Sequence, residues 1–239
     1  DDLRRLWDER LLRFAIDSFW AVIASGSTYP ATVELQLRER YGDETAAALV
    51  SNLSGLVDTF ESLGPATGLR EVKAGRMTRE DYLARFGHRG VNETELAWPR
   101  PSEDPEWLDR SLAELDDVAT VADLRLRQQQ AYDAAISRLA ASDGRAAKRV
   151  SGELHRAARH AALREAVRSE GVRTTGVMRS FALRAGELLG IGDDVFMLTV
   201  EELLAALGGD TAAYGYIPDR RELHRTYRAL PPLPAVILG

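Results

Sequence analysis

The chain contains no cysteine, which excludes disulfide bonds, thiolate metal ligands and a cysteine nucleophile. It has no apolar run near the roughly 20 residues that a membrane-spanning helix needs. A Gly-rich phosphate loop, a His-Glu-x-x-His zinc motif and a Gly-x-Ser-x-Gly nucleophile elbow are all missing. The net charge is −6, so the chain lacks the basic excess of a nucleic-acid binder. We therefore expect no metal site, no nucleic-acid partner and no membrane partner, and a cytoplasmic location.

Apolar residues recur at helical spacing through most of the 239 residues, which favours an all-α fold. The expected architecture is a multi-helix, bundle-like domain with one long Gly/Pro-rich loop. The helices are expected at about residues 3–25, 31–41, 44–63, 78–85, 106–117, 120–142, 145–169, 174–189, 200–207 and 217–230.

Local signals set the expected helix boundaries. Gly64-Pro65 and Gly68 are expected to interrupt the chain, and Gly171 is expected to break or kink a helix. Thr78 with Asp81 predicts a helix N-cap. Residues 195–199 are expected to form a short extended run before a capping box made by Thr199 and Glu202. Residues 231–239 are predicted to be a stiff Pro-rich linker, which makes 1–230 one domain. Both ends look cut, so we expect an excised domain of a longer polypeptide.

Residues 86–105 form the one long interruption of the helical pattern. His88 and Arg89 lie between two glycines, and Glu93 follows within reach of Arg89. Loops that carry charge on a rigid helical scaffold often carry function. The alternative is a surface connector that satisfies its own charges, and composition alone does not choose between the two.

The helix predicted at 145–169 carries an apolar stripe that becomes charged without leaving its face. At 100° per residue the stripe continues into Arg164, Glu165 and Arg168. Its aliphatic members are Val150, Leu154, Ala157 and Ala161.

Charged residues on a buried face must be paired or must face a wet cavity. Two guanidiniums four residues apart, at Arg164 and Arg168, make a fork-shaped receptor for a carboxylate or phosphate. Alternatively, Glu165 or the loop carboxylates Glu93 and Glu95 satisfy the arginines in an internal network. The two interpretations can coexist in one site.

The first helix supplies candidates for contact with an apolar ligand, namely Phe19, Trp20 and Ile23. Aromatic residues at helical spacing are more often part of a protein core, so core packing is the alternative for them.

Several motifs resemble, in the same order, the central domain of the rifampin phosphotransferase family and its phosphoenolpyruvate-synthase-like relatives. The likeness covers about residue 80 to the end, whereas residues 1–80 agree only in helical character and position. The motifs are Gly87-His88-Arg89-Gly90, Glu93, Glu95-Leu96, Pro99-Arg100, Glu103-Asp104-Pro105, Leu163-Arg164-Glu165 with Arg168, residues 193–199 with Glu201-Glu202-Leu203, and residues 220–234.

The resemblance implies one part of a larger phosphotransferase. In that architecture an ATP-grasp domain, which holds ATP and Mg, passes a phosphoryl group to a histidine on a swivelling domain, releasing AMP and phosphate. The phosphohistidine then phosphorylates a hydroxyl of an acceptor on the helical domain. The implied partners are those two domains and a small-molecule acceptor, for which a rifamycin antibiotic is one candidate. This chain matches the acceptor-binding part alone, so no cofactor is expected on it and the isolated chain is expected to be inactive.

The resemblance also implies residue roles. Arg164 and Arg168 would supply positive charge to the phosphoryl group, with Arg168 replacing a family lysine, and His88 would orient or deprotonate the acceptor hydroxyl. Arg89 and Glu93 are expected at the substrate-binding site, where they fix the shape of the loop. The alternative function is a non-catalytic helical scaffold or interaction module whose charges pair internally.

Overall fold

The computed structural model describes residues 2–24, 28–58, 60–115 and 119–231 of the chain. These residues form α-helices joined by short helical turns and loops, with no β-strand among them, which confirms the all-α class. The helices are α1 Asp2–Leu6, α2 Arg13–Ala24, α3 Thr28–Tyr41, α4 Asp43–Val50, α5 Gly64–Lys73, α6 Arg79–Phe86, α7 Trp107–Ala113, α8 Ala119–Ser142, α9 Gly144–Leu189, α10 Val200–Leu207 and α11 Ile217–Arg228.

The chain divides into two compact units, and residues 9–176 form the larger one. Its main core joins α3, α4, α8 and the first half of α9. The predicted apolar stripe lies in this core: Val150, Leu154 and Ala157 are buried there, and Ala161 is also buried. Burying one stripe of a long helix in this way supplies most of its stability, because helix propensity alone is weak.

A second core in the larger unit lies directly before the long loop. Tyr82 and Phe86 of α6 pack against Leu108 of α7. Gly68 in α5 lets these rings approach, since a Cβ there would be 2.7 Å from the Phe86 ring and 2.9 Å from the Tyr82 ring. Thr78 caps α6 as predicted, and its hydroxyl accepts a hydrogen bond of 3.0 Å from the Asp81 amide. This packing fixes the point at which the chain enters the loop.

The smaller unit comprises residues 2–8 and 177–231 of the described chain. Ala182 and Ala185 pack against Val195 and Leu203. Thr199 and Glu202 make the predicted capping box for α10. The guanidinium of Arg220 also binds both carboxylate oxygens of Glu202, at 2.5 and 2.8 Å. That hydrogen bonding lowers the pKa of Glu202 to about 2.

The helix predicted at 44–63 is wrong after Val50, where α4 ends. Two 3₁₀ turns, Leu53–Leu56 and Glu61–Leu63, replace its second half. The Ser51 hydroxyl donates to the carbonyl of Ala48 at 2.8 Å, and such side-chain bonds compete with helix continuation. The predicted interruption at Gly64-Pro65 is confirmed, because a 3₁₀ turn ends at Leu63 and α5 begins at Gly64, whereas the one at Gly68 is wrong because Gly68 lies inside α5. Pro65 lies in the first turn of α5, where a missing amide proton costs nothing.

The predicted interruption at Gly171 is wrong, because α9 runs unbroken from Gly144 to Leu189. A glycine inside a helix costs only about 1 kcal/mol, which the burial of neighbours such as Ser169 and Val172 offsets. The helix predicted at 3–25 contains a π-helical stretch, Trp7–Leu12, which separates α1 from α2. The helix predicted at 106–117 is shorter in the structure, where α7 begins at Trp107 and ends at Ala113.

Residues 195–199 do not form the predicted extended run. Gly192–Met197 is a 3₁₀ turn, and only Leu198 and Thr199 have extended backbone. Gly190 and Gly192 have φ values of +69° and +53°, a region that favours glycine, and they turn the chain out of α9.

Two predictions about chain organisation remain predictions. The linker at 231–239 lies almost wholly outside the described residues, and the 1–230 domain boundary depends on it.

No helix among the described residues is both long enough and apolar enough to cross a membrane.

Candidate functional site

The long loop is held in one shape by its own backbone. The amide of Arg89 bonds to the carbonyl of Phe86 at 2.8 Å, and the amide of Ser102 bonds to the carbonyl of Gly87 at 3.1 Å. Gly87 is required here, because a Cβ would collide with the carbonyl oxygen of Leu83 and would lie 2.8 Å from the Ser102 side chain. Asn92 has a φ of +54°, and this left-handed conformation turns the loop backbone sharply. The loop can therefore present its side chains in fixed directions.

Glu93 is the buried centre of an ionic network that joins the loop to α9. One oxygen, Oε2, accepts from Nε of Arg89 at 2.7 Å. The other, Oε1, accepts from Nη2 of Arg168 at 2.9 Å. Arg89 is nearly as buried as Glu93, whereas the Arg168 side chain is 53% exposed. The structure thus brings three of the predicted site residues together.

Arg164 is held in a similar way by its neighbour on α9. Its Nη2 donates to Oε1 of Glu165 at 2.8 Å, and the Glu165 side chain is buried. The second oxygen of Glu165 is also buried and has no hydrogen-bond partner among the described residues. The Arg164 side chain is 39% exposed, so it is partly accessible to solvent or to a ligand.

His88 also reaches α9, where its Nε2 lies 2.9 Å from the hydroxyl of Ser169. Its Nδ1 is enclosed and has no partner within the described part of the chain. Burial, with lesser contributions from nearby guanidiniums led by Arg173, lowers the pKa of His88 to about 4, and Glu93 opposes the shift. The imidazole is therefore uncharged at neutral pH, and because the low pKa makes it a weak base, it suits hydrogen bonding to a hydroxyl better than removal of the hydroxyl proton.

The depressed pKa of His88 predicts a pH dependence of stability. Between about pH 6.5 and 4 the unfolded chain binds a proton at His88 that the folded chain does not, so folding weakens as the pH falls through that range. Urea unfolding at pH 7 and pH 5 should show this loss in the parent chain. His88→Gln should lose less stability between the two pH values. An equal loss in both proteins would contradict the assignment.

The predicted aromatic contacts are not brought into this network. Phe19 and Trp20 are each about 60% exposed, and their rings contact each other edge to face at 6.1 Å. The side chain of Ile23 lies outside the described residues. The nearby Phe14 and Ala21 instead line a cavity of about 410 Å³ with Ala166 and Val167 of α9. The proposed apolar ligand contact of Phe19, Trp20 and Ile23 stays a prediction.

Three surface cavities have volumes of about 620, 440 and 410 Å³, and none of these three has His88, Arg164 or Arg168 in its lining. The largest is lined by residues of the 52–67 segment, by the end of α6 and by α8. Among the described residues there is no group of three or more His, Cys, Asp or Glu side chains that could hold a metal ion.

Sequence reasoning missed Ser169 and Arg173, both on α9. Ser169 is buried and contacts His88, and Arg173 donates to the carbonyl of Arg85 at 2.9 Å. Ser169 lies four residues after Glu165, so extending the charged stripe by one turn would have found it. No comparable local signal indicates Arg173, because its partner is 88 residues away in the chain.

A comparison with known families decides what kind of domain carries this network. The profile of the rifampicin phosphotransferase fourth domain matches residues 44–165, just over half of the chain. The chain belongs to the rifampicin phosphotransferase fourth-domain family. No curated protein and no solved structure matches it. The family match includes the whole 86–105 loop, Arg164 and Glu165, whereas Arg168 and Ser169 lie just beyond it. The expectation of family membership is confirmed.

Proposed function

We propose that this chain is the acceptor-binding domain of a multidomain, ATP-dependent phosphotransferase. Its acceptor is a small molecule with a hydroxyl group, and a rifamycin-like antibiotic is one candidate, which would make the enzyme antibiotic-inactivating. The phosphoryl group arrives on a histidine of a separate swivelling domain. ATP and Mg bind to an ATP-grasp domain of the same polypeptide, in the cytoplasm where ATP is available. The isolated chain is therefore inactive.

This proposal rests on one observation: buried carboxylates hold two guanidiniums whose side chains are partly exposed. Arg164 and Arg168 each use one nitrogen on Glu165 or Glu93. A guanidinium has five N–H donors, so each retains several for the oxygens of a phosphoryl group. Positive groups fixed before the reaction stabilise the charge of phosphoryl transfer without reorganisation.

His88 completes the proposed site. Its uncharged imidazole orients the acceptor hydroxyl, and the hydrogen bond to Ser169 holds the ring in place. Glu93 binds both Arg89 and Arg168, so it holds the loop and Arg168 in fixed relative positions. A ligand must open access to Nδ1, because that atom is enclosed in the present arrangement.

A second candidate function, a helical scaffold, is favoured by the same ion pairs. Every guanidinium of the network has a carboxylate partner, as a self-paired structural module would have. The two candidates differ in activity. In the full-length phosphotransferase, Arg164→Gln and Arg168→Gln should each lower kcat for acceptor phosphorylation by about 100-fold, the loss that follows removal of one charge-stabilising group. A scaffold predicts no change.

A further inference from the structure

The 620 Å³ cleft of the larger unit has the size of a small-molecule site. Its lining includes the rings of Phe60 and Phe86 and the side chain of Leu126. Asn52 and Gln129 also line it, and Nδ2 of Asn52 donates to Oε1 of Gln129 at 2.7 Å. A few polar groups in an otherwise apolar wall are typical of sites that orient an organic ligand.

Two arginines that line this cleft have guanidiniums without an ion pair or a hydrogen bond among the described residues. Arg85 from α6 and Arg125 from α8 both line it. Within the described ranges neither side chain makes an ion pair or a hydrogen bond, and Arg85 only lies over the Phe86 ring at 5.1 Å. Asp58 and Glu61 line the same cleft without pairing with either arginine. The lining therefore includes two guanidiniums with donors for an anionic group, while its two carboxylates disfavour a ligand with several negative charges.

Two residues that line the cleft also lead to or contact the elements that carry the proposed phosphoryl site. Phe86 lies two residues before His88, at the start of the loop. The carbonyl of Arg85 accepts from Nη2 of Arg173, on the helix that carries Arg164 and Arg168. A molecule in the cleft would thus lie beside the segment that holds the site residues.

We propose that the cleft binds the body of the acceptor, a monoanionic small molecule with an apolar ring, and that the acceptor hydroxyl projects out of the cleft, since His88, Arg164 and Arg168 do not line it. The anionic group binds Arg85 and Arg125, and the ring packs on Phe60 and Phe86. The role of the ligand as phosphoryl acceptor rests on the proposed function, whereas binding in the cleft does not.

Binding is tested by calorimetric titration of the chain with 1-naphthoate and with its uncharged analogue 1-naphthamide. Arg125→Gln and Arg85→Gln should each weaken naphthoate binding about tenfold, the effect of losing one charge-assisted hydrogen bond. Arg127→Gln is the matched control, since it removes an exposed arginine two residues along α8 that does not line the cleft. Thr67→Trp, at an exposed lining position, should block the cleft without disturbing the core.

Three results would overturn the assignment: no saturable binding of naphthoate, equal affinity in the Arg125→Gln and Arg127→Gln proteins, or unchanged affinity in Thr67→Trp. The full-length enzyme separates this inference from the proposed function. Arg125→Gln should raise KM for the natural acceptor with kcat nearly unchanged. If Arg168→Gln abolishes transfer but Arg125→Gln leaves KM unaltered, only the cleft is wrong. If naphthoate binding depends on Arg125 but Arg168→Gln transfers normally, only the proposed function is wrong.

Discussion

Replacing Leu154 by alanine should lower the free energy of unfolding of the chain by about 3 kcal/mol, as for other fully buried leucines. Leu154 is completely buried in the core that joins α3, α4, α8 and α9. The substitution removes the packing contacts of three carbon atoms and leaves a cavity that the surrounding helices fill only in part. Because the stability of a domain of this kind is about 5–15 kcal/mol, such a loss is a large fraction of the total.

Leu163→Ala provides the matched control for Leu154→Ala. Leu163 lies on the same helix, but it is 53% exposed, so its truncation should change the unfolding free energy by only about 0.5 kcal/mol. Urea unfolding followed by circular dichroism measures both variants. Equal losses in the two proteins would mean that the stripe on α9 does not face the core.

Replacing Glu93 by alanine should cost about 3 kcal/mol of unfolding free energy, close to the lower end for a broken buried ion pair. Its partner Arg89 is nearly as buried, so the substitution leaves a guanidinium enclosed without a counter-charge. Arg168 contributes little to this loss because its side chain is half exposed to water. The double variant Arg89→Met with Glu93→Leu should recover much of the stability, since well-packed apolar residues can replace a buried pair.

The control for Glu93→Ala lies two residues further along the same loop. Glu95 is exposed, and its carboxylate accepts only from the amide of Ala97 at 2.9 Å among the bonds described for it. Glu95→Ala should therefore cost about 1 kcal/mol or less. Denaturant unfolding distinguishes the two variants. A loss at Glu93 no larger than that at Glu95 would contradict the buried network.

Local patterns were enough to predict the elements that depend on neighbouring residues. The hydroxyls of Thr78 and Thr199 cap the helices that they were expected to cap, and the stripe through Leu154 faces the core. The prediction at Gly171 is wrong because the cost of a glycine in a helix is small compared with the packing of a 46-residue helix. Tertiary burial overrides such weak local preferences.

The pairing within the site could be predicted only as a set of alternatives. The sequence left Glu93, Glu95 and Glu165 as possible partners of the arginines, and the structure uses Glu93 and Glu165. That choice depends on how the loop folds across α9, which joins residues 75 positions apart. The 620 Å³ cleft was not predictable for the same reason, because three distant segments form it.

The rate of acceptor phosphorylation by the full-length enzyme carrying Arg168→Gln tests the central claim most directly. Arg159→Gln, which removes an exposed arginine from the same helix, is the control. If the half-exposed guanidinium held by Glu93 stabilises the transferring phosphoryl group, Arg168→Gln should lower kcat by about 100-fold while Arg159→Gln leaves it unchanged. Equal rates in the two variants and the parent enzyme would show that this guanidinium has only a structural role.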